Sequence, residues 1–345
     1  MMKSSLRAIN IALSAFMATM LCNLPAPPPR CLADEFKTAT LDQNGNAAQA
    51  RLSLSASGKH VGEKRLDYKR MRVFSAGVHR FEEDHLHPGR QSVVAQDLSL
   101  IKTLSQQGVP DDHIVALRDE DATTINCQNQ LKELLKNSSP GEFLLVFIHS
   151  HGSLNRGGLV CTYEKGGVWT YQDLVKEIED NFKGDSACIC IGACHSGSLL
   201  DVIKSAPRRI SYFGVTSVFP ALNAKTVATA DFEVCIKDAF GGAPCPDFNE
   251  DGVITFDEFG RYISDDQRRL FLTVPEFGYT DNFDPQTIIT NAREHSGPLD
   301  CALVQLPDGV RGRVVKQDDD RVLVRGSRNP RMVQWVRSER VMRIP

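Results

Sequence analysis

The chain has 345 residues, of which 41% are hydrophobic and 24% charged, with a formal net charge of −3. That length exceeds one average domain, and that composition can bury a core. Near-neutral charge excludes a global electrostatic case for nucleic acid or a membrane surface as partner. No long uncharged apolar stretch follows the N-terminal region, which excludes a helical membrane span in the body of the protein.

Residues 1–33 have the layout of a secretory signal peptide. Lys3 and Arg7 precede an apolar stretch from Ala8 to Leu21, and Cys31-Leu32-Ala33 offers a small-residue cleavage site. An uncleaved signal anchor is the alternative, because the stretch from Pro25 to Arg30 is unusual before a cut. The expected product is secreted or periplasmic, with no stable membrane span after signal removal. Eight of the ten cysteines would remain, and export permits disulfides. Cys188 and Cys190, two apart on a predicted strand, read as apolar core rather than a bridge.

Residues 34–70 are polar without a sustained period and read as a linker or N-terminal arm. From Met71 the pattern changes. Met71 to Val78 suits a strand, and Gln91 to Gln107 an amphipathic helix with Val94, Leu98, Ile101 and Leu104 on one stripe. Gly108-Val109-Pro110 stops that helix. A short strand from Ile114 to Leu117 and a helix from Ala122 to Leu135, capped by Asp121, come next. This β-α-β-α-β rhythm predicts a mostly parallel sheet flanked by helices.

Two later runs carry the chemistry. Phe143 to Ile148 (F-L-L-V-F-I) leads into His149-Ser150-His151-Gly152, and Ala187 to Gly192 (A-C-I-C-I-G) leads into Ala193-Cys194-His195-Ser196-Gly197-Ser198. Apolar runs of this length without alternation read as strands buried on both faces of a parallel sheet. Functional residues of such sheets sit just past the carboxyl ends of the strands. Neighbouring strands would bring His151 and Cys194 together across 43 positions of sequence. A thiol attacks a carbonyl as thiolate, and a nearby imidazole can take its proton and return it to the leaving amine. Between the runs, Leu159 to Tyr163 and Val168 to Tyr171 flank a Glu-Lys-Gly-Gly hairpin, and a helix opens at Thr170 or Tyr171 and runs to Phe182. Ile210 to Ser217 reads as one more strand.

Ser150-His151-Gly152 and Ala193-Cys194-His195-Ser196-Gly197-Ser198 resemble the paired motifs of the caspase-like superfamily of cysteine peptidases, which includes caspases, metacaspases, legumain and clostripain. The resemblance covers residues 70–270. It implies a caspase-like α/β domain and endopeptidase activity, with His151 as general base and Cys194 as nucleophile. It also implies an oxyanion hole from the backbone N–H groups of Gly152 and Cys194. His149 and His195 are the competing histidines, and neither occupies the matching place. One position departs: many relatives carry an acid two residues before the cysteine, in the specificity pocket, and here it is Gly192. Asp97 is the remaining candidate for a pocket acid.

Asp247 to Glu258 (D-F-N-E-D-G-V-I-T-F-D-E) fits the EF-hand calcium loop. Asp247, Asn249, Asp251, the Val253 carbonyl, Thr255 and Glu258 would supply the oxygens, and Gly252 the sharp turn. Phe256 to Arg268 would be the exiting helix. The Pro-rich, acidic stretch 274–299 is the candidate boundary, so the peptidase-like domain is expected over 71–290. Residues 300–345 hold short β-branched runs between Pro-Asp-Gly, Gln-Asp-Asp-Asp and Ser-Arg-Asn-Pro turns, which resemble a small Src-homology-3-like or Tudor-like barrel. Arg311, Arg313, Arg337, Arg340 and Arg343 would form either a binding face for an unidentified ligand or a solvated surface.

The expected function is a cysteine endopeptidase acting on protein or peptide substrates, with structural calcium and no nucleic-acid partner. The alternatives are a catalytically silent, calcium-stabilised binding protein, and a transpeptidase or ligase using the same pair.

Overall fold

The computed structural model describes residues 64–82, 97–220, 226–266, 275–297, 300–326 and 333–343. The signal sequence read at 1–33 and most of the arm read at 34–70 lie outside them. In chain order come β1 (Met71–Gly77), α1 (Asp97–Gln107), β2 (Ile114–Arg118), α2 (Thr124–Lys136) and β3 (Phe143–His149). An antiparallel trio follows, β4 (Gly152–Ser153), β5 (Leu159–Cys161) and β6 (Val168–Thr170). Then come α3 (Tyr171–Asn181), β7 (Ser186–Gly192), α4 (Ser198–Ser205), β8 (Ser211–Thr216) and α5 (Thr226–Phe240). β9 (Val253–Thr255), α6 (Phe256–Asp266), β10 (Glu276–Tyr279) and β11 (Ile288–Asn291) complete the body.

The main sheet runs β10-β8-β7-β3-β1-β2, and all its pairings are parallel except that of β10 with β8. This is the α/β class expected from the sequence. Side chains of β3 alternate between two cores: Leu144, Val146 and Ile148 pack with α2, α3 and α4, while Leu145 and Phe147 pack with α1, α5 and α6. Each such side chain taken fully out of water contributes roughly 1.5–3 kcal/mol, so an unbroken apolar strand is stable only between two helical layers. Cys188 and Cys190 are fully buried in the second core with their sulfurs 3.6 Å apart. From β1 the chain goes to β2 on one side and returns to β3 on the other. The sheet therefore has its topological switch point between β1 and β3, with a crevice past their carboxyl ends.

Helix ends follow local chemistry. Gly108, at φ +106°, closes α1: its N–H bonds the Ser105 carbonyl and the Val109 N–H that of Leu104, a Schellman arrangement. The cap of α2 is Thr123, whose hydroxyl accepts the Asn126 N–H at 3.3 Å, rather than Asp121. Asp119 to Asp121 instead form a short 3₁₀ turn, which places the Asp119 side chain elsewhere. Thr170 caps α3 as the sequence suggests.

The N-terminal boundary moves. Residues 64–70 belong to the body: the Leu66 N–H donates to the Ile288 carbonyl at 2.9 Å, and Leu66 and Tyr68 pack on the second core. The stretch 274–299 contributes β10 and β11, the last strands of the body, which ends at Asn291. After it, β12 (Leu303–Gln305), β13 (Arg311–Asp318), β14 (Arg321–Gly326), β15 (Val333–Arg337) and β16 (Met342–Arg343) form an antiparallel sheet in the order β15-β14-β13-β12-β16. Its own core holds Val304, Val314, Val322 and Val324.

The C-terminal sheet is tied to the body covalently and by charge. Cys245 and Cys301 form a disulfide. Arg325 lies 2.8 Å from Asp238 on α5, and Arg313 lies 3.3 Å from Asp265 on α6 and over the Tyr262 ring. Arg313 is thus an inward-facing anchor and not part of an exposed basic face, whereas Arg311, Arg337, Arg340 and Arg343 are exposed. No helix among the described residues is long and apolar enough to cross a membrane.

Candidate active site

β3 and β7 run in parallel with His149 paired to Gly192. Each chain continues two residues past that pair, to His151 and to Cys194. The Ser150 N–H donates to the Gly192 carbonyl at 3.1 Å, which extends the ladder into the loops. Gly152 packs so closely on the next turn that a Cβ there would overlap the Cys194 carbonyl oxygen and come within 3.1 Å of Ala193 Cβ. Only glycine fits between these two loops. The Cys161 N–H donates to the His151 carbonyl at 2.9 Å, which makes 151/161 the hydrogen-bonded pair of the β4–β5 ladder. Gly152 and Val160 are then a non-hydrogen-bonded pair, so the Gly152 N–H points away from β5.

His151 is exposed, with its ring stacked on Phe81 at 4.7 Å between centroids and 16° between planes. Cys194 is half-buried and not part of the disulfide. Just after it, His195 takes a left-handed backbone (φ +57°) and its Nδ1 lies 2.8 Å from the Pro220 carbonyl. A carbonyl only accepts, so that bond needs the proton on Nδ1 and fixes the orientation of the ring. The Gly197 N–H bonds the Val218 carbonyl at 2.9 Å, and fully buried Ser196 receives the Val218 N–H at 3.3 Å. These contacts fix the turn before α4. Cys161 neighbours the site on β5: burial pushes its thiol up, and the charge of Cys194 adds to that.

Beside the switch point lies a second set of buried groups, of which the sequence reading names His149 and Asp97 but not His79 and Glu233. His149 is buried, with Nδ1 against Glu233 Oε1 of α5, and Glu233 has no exposed surface. His79, just after β1, faces Asp97 at 3.7 Å, and the His79 and His149 rings lie 4.8 Å apart. Burial raises the Asp97 carboxyl, but the His79 imidazole and the Leu98 N–H outweigh it and leave the group below its usual value. Gly77 leaves the room: a Cβ there would sit 2.7 Å from Asp97 Oδ2 and 2.8 Å from His79 Nε2. A Cβ at Gly192 would lie 3.6 Å from His149 Nδ1 and 3.5 Å from Phe232. Asp97 and Gly192 thus both border this buried imidazole–carboxylate cluster. The sequence signal for Glu233 is an acid inside the apolar run Phe232-Glu233-Val234-Cys235-Ile236.

The loop 247–258 is folded around its own N–H groups. Asp247 accepts from Asp251 at 3.2 Å and from Gly252 at 2.9 Å, and Asn249 accepts from Asp251 at 3.0 Å. Glu258 accepts from Phe248 at 3.2 Å and from Thr255 at 3.0 Å. Gly252 has φ +86°, which an L side chain resists, and β9 within the loop pairs with β11. Burial first, then the charge of Asp251, raises the Asp247 carboxyl. Burial, then Asp251 and Asp247, raises that of Glu258. No three His, Cys, Asp or Glu side chains among the described residues are grouped as a metal cluster.

No family model and no curated protein matches this chain. Solved structures do. The chain is similar to a protein of Geobacter sulfurreducens, at 12% identity over 65% of this chain and 99% of that one, with a TM-score of 0.41. It is also similar to caspase-1 of Spodoptera frugiperda, at 12% identity over 71% of this chain and 100% of that one, with a TM-score of 0.46.

Proposed function

We propose that this protein is an exported cysteine endopeptidase of the caspase-like type. The observation that carries the reading is the packing of Gly152 on Ala193 and Cys194, which brings the loops holding His151 and Cys194 together at the ends of two neighbouring parallel strands. The motif resemblance assigns the roles. The Cys194 thiolate adds to the carbonyl carbon of the scissile peptide, with His151 holding the thiol proton. The oxyanion is met by the N–H groups of Gly152 and Cys194, dipoles fixed before reaction. His151 gives its proton to the leaving amine, and a thioester remains on Cys194. Water then attacks that thioester with His151 as base, releasing the acid and the free thiol. Asp97 and the space at Gly192 border the pocket for the residue before the cut. The Cys245–Cys301 disulfide supports an oxidising compartment.

Alkylation tests the activated thiolate. Iodoacetamide at neutral pH is expected to modify Cys194 selectively among the free cysteines, and His151→Ala to remove that selectivity. Equal labelling of both proteins at Cys194 would remove the dyad.

The same reading includes calcium in the loop 247–258. The donor set fits a hard cation: three carboxylates, an amide, a hydroxyl and a carbonyl, with glycine at the sixth place. Calcium at a hundredfold excess over its Kd would add about 2.7 kcal/mol. Thermal melts with and without chelator should then differ, and Glu258→Ala should erase the difference. An unchanged melt at millimolar calcium would withdraw the metal.

A further inference from the structure

Resting on that dyad, we infer that Phe81 is the positioning residue for the His151 imidazole and that Asp119 is its anchor. The segment after β1 is an irregular loop, yet it is tied at almost every residue. The Val78 N–H donates to the His149 carbonyl at 2.9 Å. Asp119 Oδ1 accepts the N–H groups of both His79 and Arg80, at 2.8 and 2.9 Å, and its Oδ2 faces Arg80 Nε at 3.1 Å. The Glu82 N–H donates to the Tyr163 carbonyl at 3.1 Å, and Glu82 Oε2 receives the Lys165 N–H at 2.8 Å.

Asp119 itself is buried and left-handed, at φ +46°. A non-glycine residue holds such a conformation only where its surroundings over-determine it. Here the over-determining contacts are the loop's own N–H groups. The product of this bracing is one ring. Phe81 packs on the first core with one side and lies nearly parallel to His151 with the other.

An exposed histidine on a loop would otherwise sample several rotamers. The flat contact removes most of that freedom and shields one imidazole face from water. The aromatic face also favours the protonated ring, since a cation over a π-system is attracted to it. Both effects assist the imidazolium–thiolate pair that the reaction starts from.

The test is the rate of Cys194 alkylation by iodoacetamide across pH, with each variant's melt recorded. Phe81→Leu keeps apolar volume against the core but loses the flat face. It is expected to slow alkylation at neutral pH about threefold to tenfold and to move the profile up by about half a pH unit. Phe81→Tyr should restore the wild-type rate and profile. Asp119→Ala, which leaves the ring untouched, should reproduce the loss, and it serves if Phe81→Leu does not fold. In a His151→Ala background, Phe81→Leu should change nothing further. A wild-type profile in both Phe81→Leu and Asp119→Ala overturns the assignment. So does a Phe81→Leu effect that persists without His151. If His151→Ala alone alkylates like wild type, the dyad itself falls, and the positioning role with it.

Discussion

Cys194→Ala is expected to lower peptide-bond hydrolysis by about 10⁴-fold or more, and His151→Ala by a similar factor. The two act as one unit, because the thiol is a nucleophile only once the imidazole has its proton. The double variant should therefore be no slower than either single one. Rates that multiplied would mean that the two residues work separately. The other reactive groups near the site provide the controls. Cys161→Ala should retain activity, since burial raises that thiol away from thiolate at neutral pH. His195→Ala should retain most of it, since that residue stands outside the matching place of the motif and its Nδ1 is held on the Pro220 carbonyl. The measurement is a peptide-library cleavage profile of the mature protein, which also reads the residue preferred beside Gly192 and Asp97. Undiminished cleavage by Cys194→Ala would end the peptidase reading.

The second large effect concerns stability. Arg325 is 3% exposed and faces Asp238 at 2.8 Å, and the same carboxylate receives the Tyr262 hydroxyl at 3.2 Å. Removing one partner of a buried ion pair costs about 3–5 kcal/mol, and here only Lys237, at 3.6 Å and partly exposed, would remain as a cation beside Asp238. Arg325→Ala should lose that much by chemical denaturation. The paired replacement Arg325→Met with Asp238→Leu should recover most of it, since apolar partners of similar volume carry no orphaned charge. A loss under 1 kcal/mol in the single variant would show that water reaches Asp238. The pair joins the C-terminal sheet to α5, the helix that also carries Glu233, so activity should be followed in the same variants.

What the sequence made legible was whatever rests on local pattern. β3 and β7 were readable because burial on both faces leaves no polar interruption, and the reactive ends were readable because they follow those runs. The hairpin β5–β6 and the cap of α3 were likewise spelled out by turn and capping residues. Contacts between distant segments left no such mark. Helix α5 is apolar almost all round, with no clean stripe, and its Glu233 meets His149 only through the fold. The cap of α2 was misplaced at Asp121 because the preceding acids turn into a 3₁₀ segment that serves the loop after β1. β10 reads E-F-G-Y and pairs on one side only, as an edge strand can without an apolar run. β13 carries a register shift between Val314 and Lys316 against β14, which breaks the alternation that sequence reading relies on.

The Cys245–Cys301 bond closes 56 positions of chain into a covalent ring. The loop 247–258, α6, β10 and β11 all lie on that ring. A peptidase that cut itself anywhere inside it would open the circle yet shed no fragment. The two new ends would stay tethered until a reductant parted them, so this part of the molecule can be nicked without being lost.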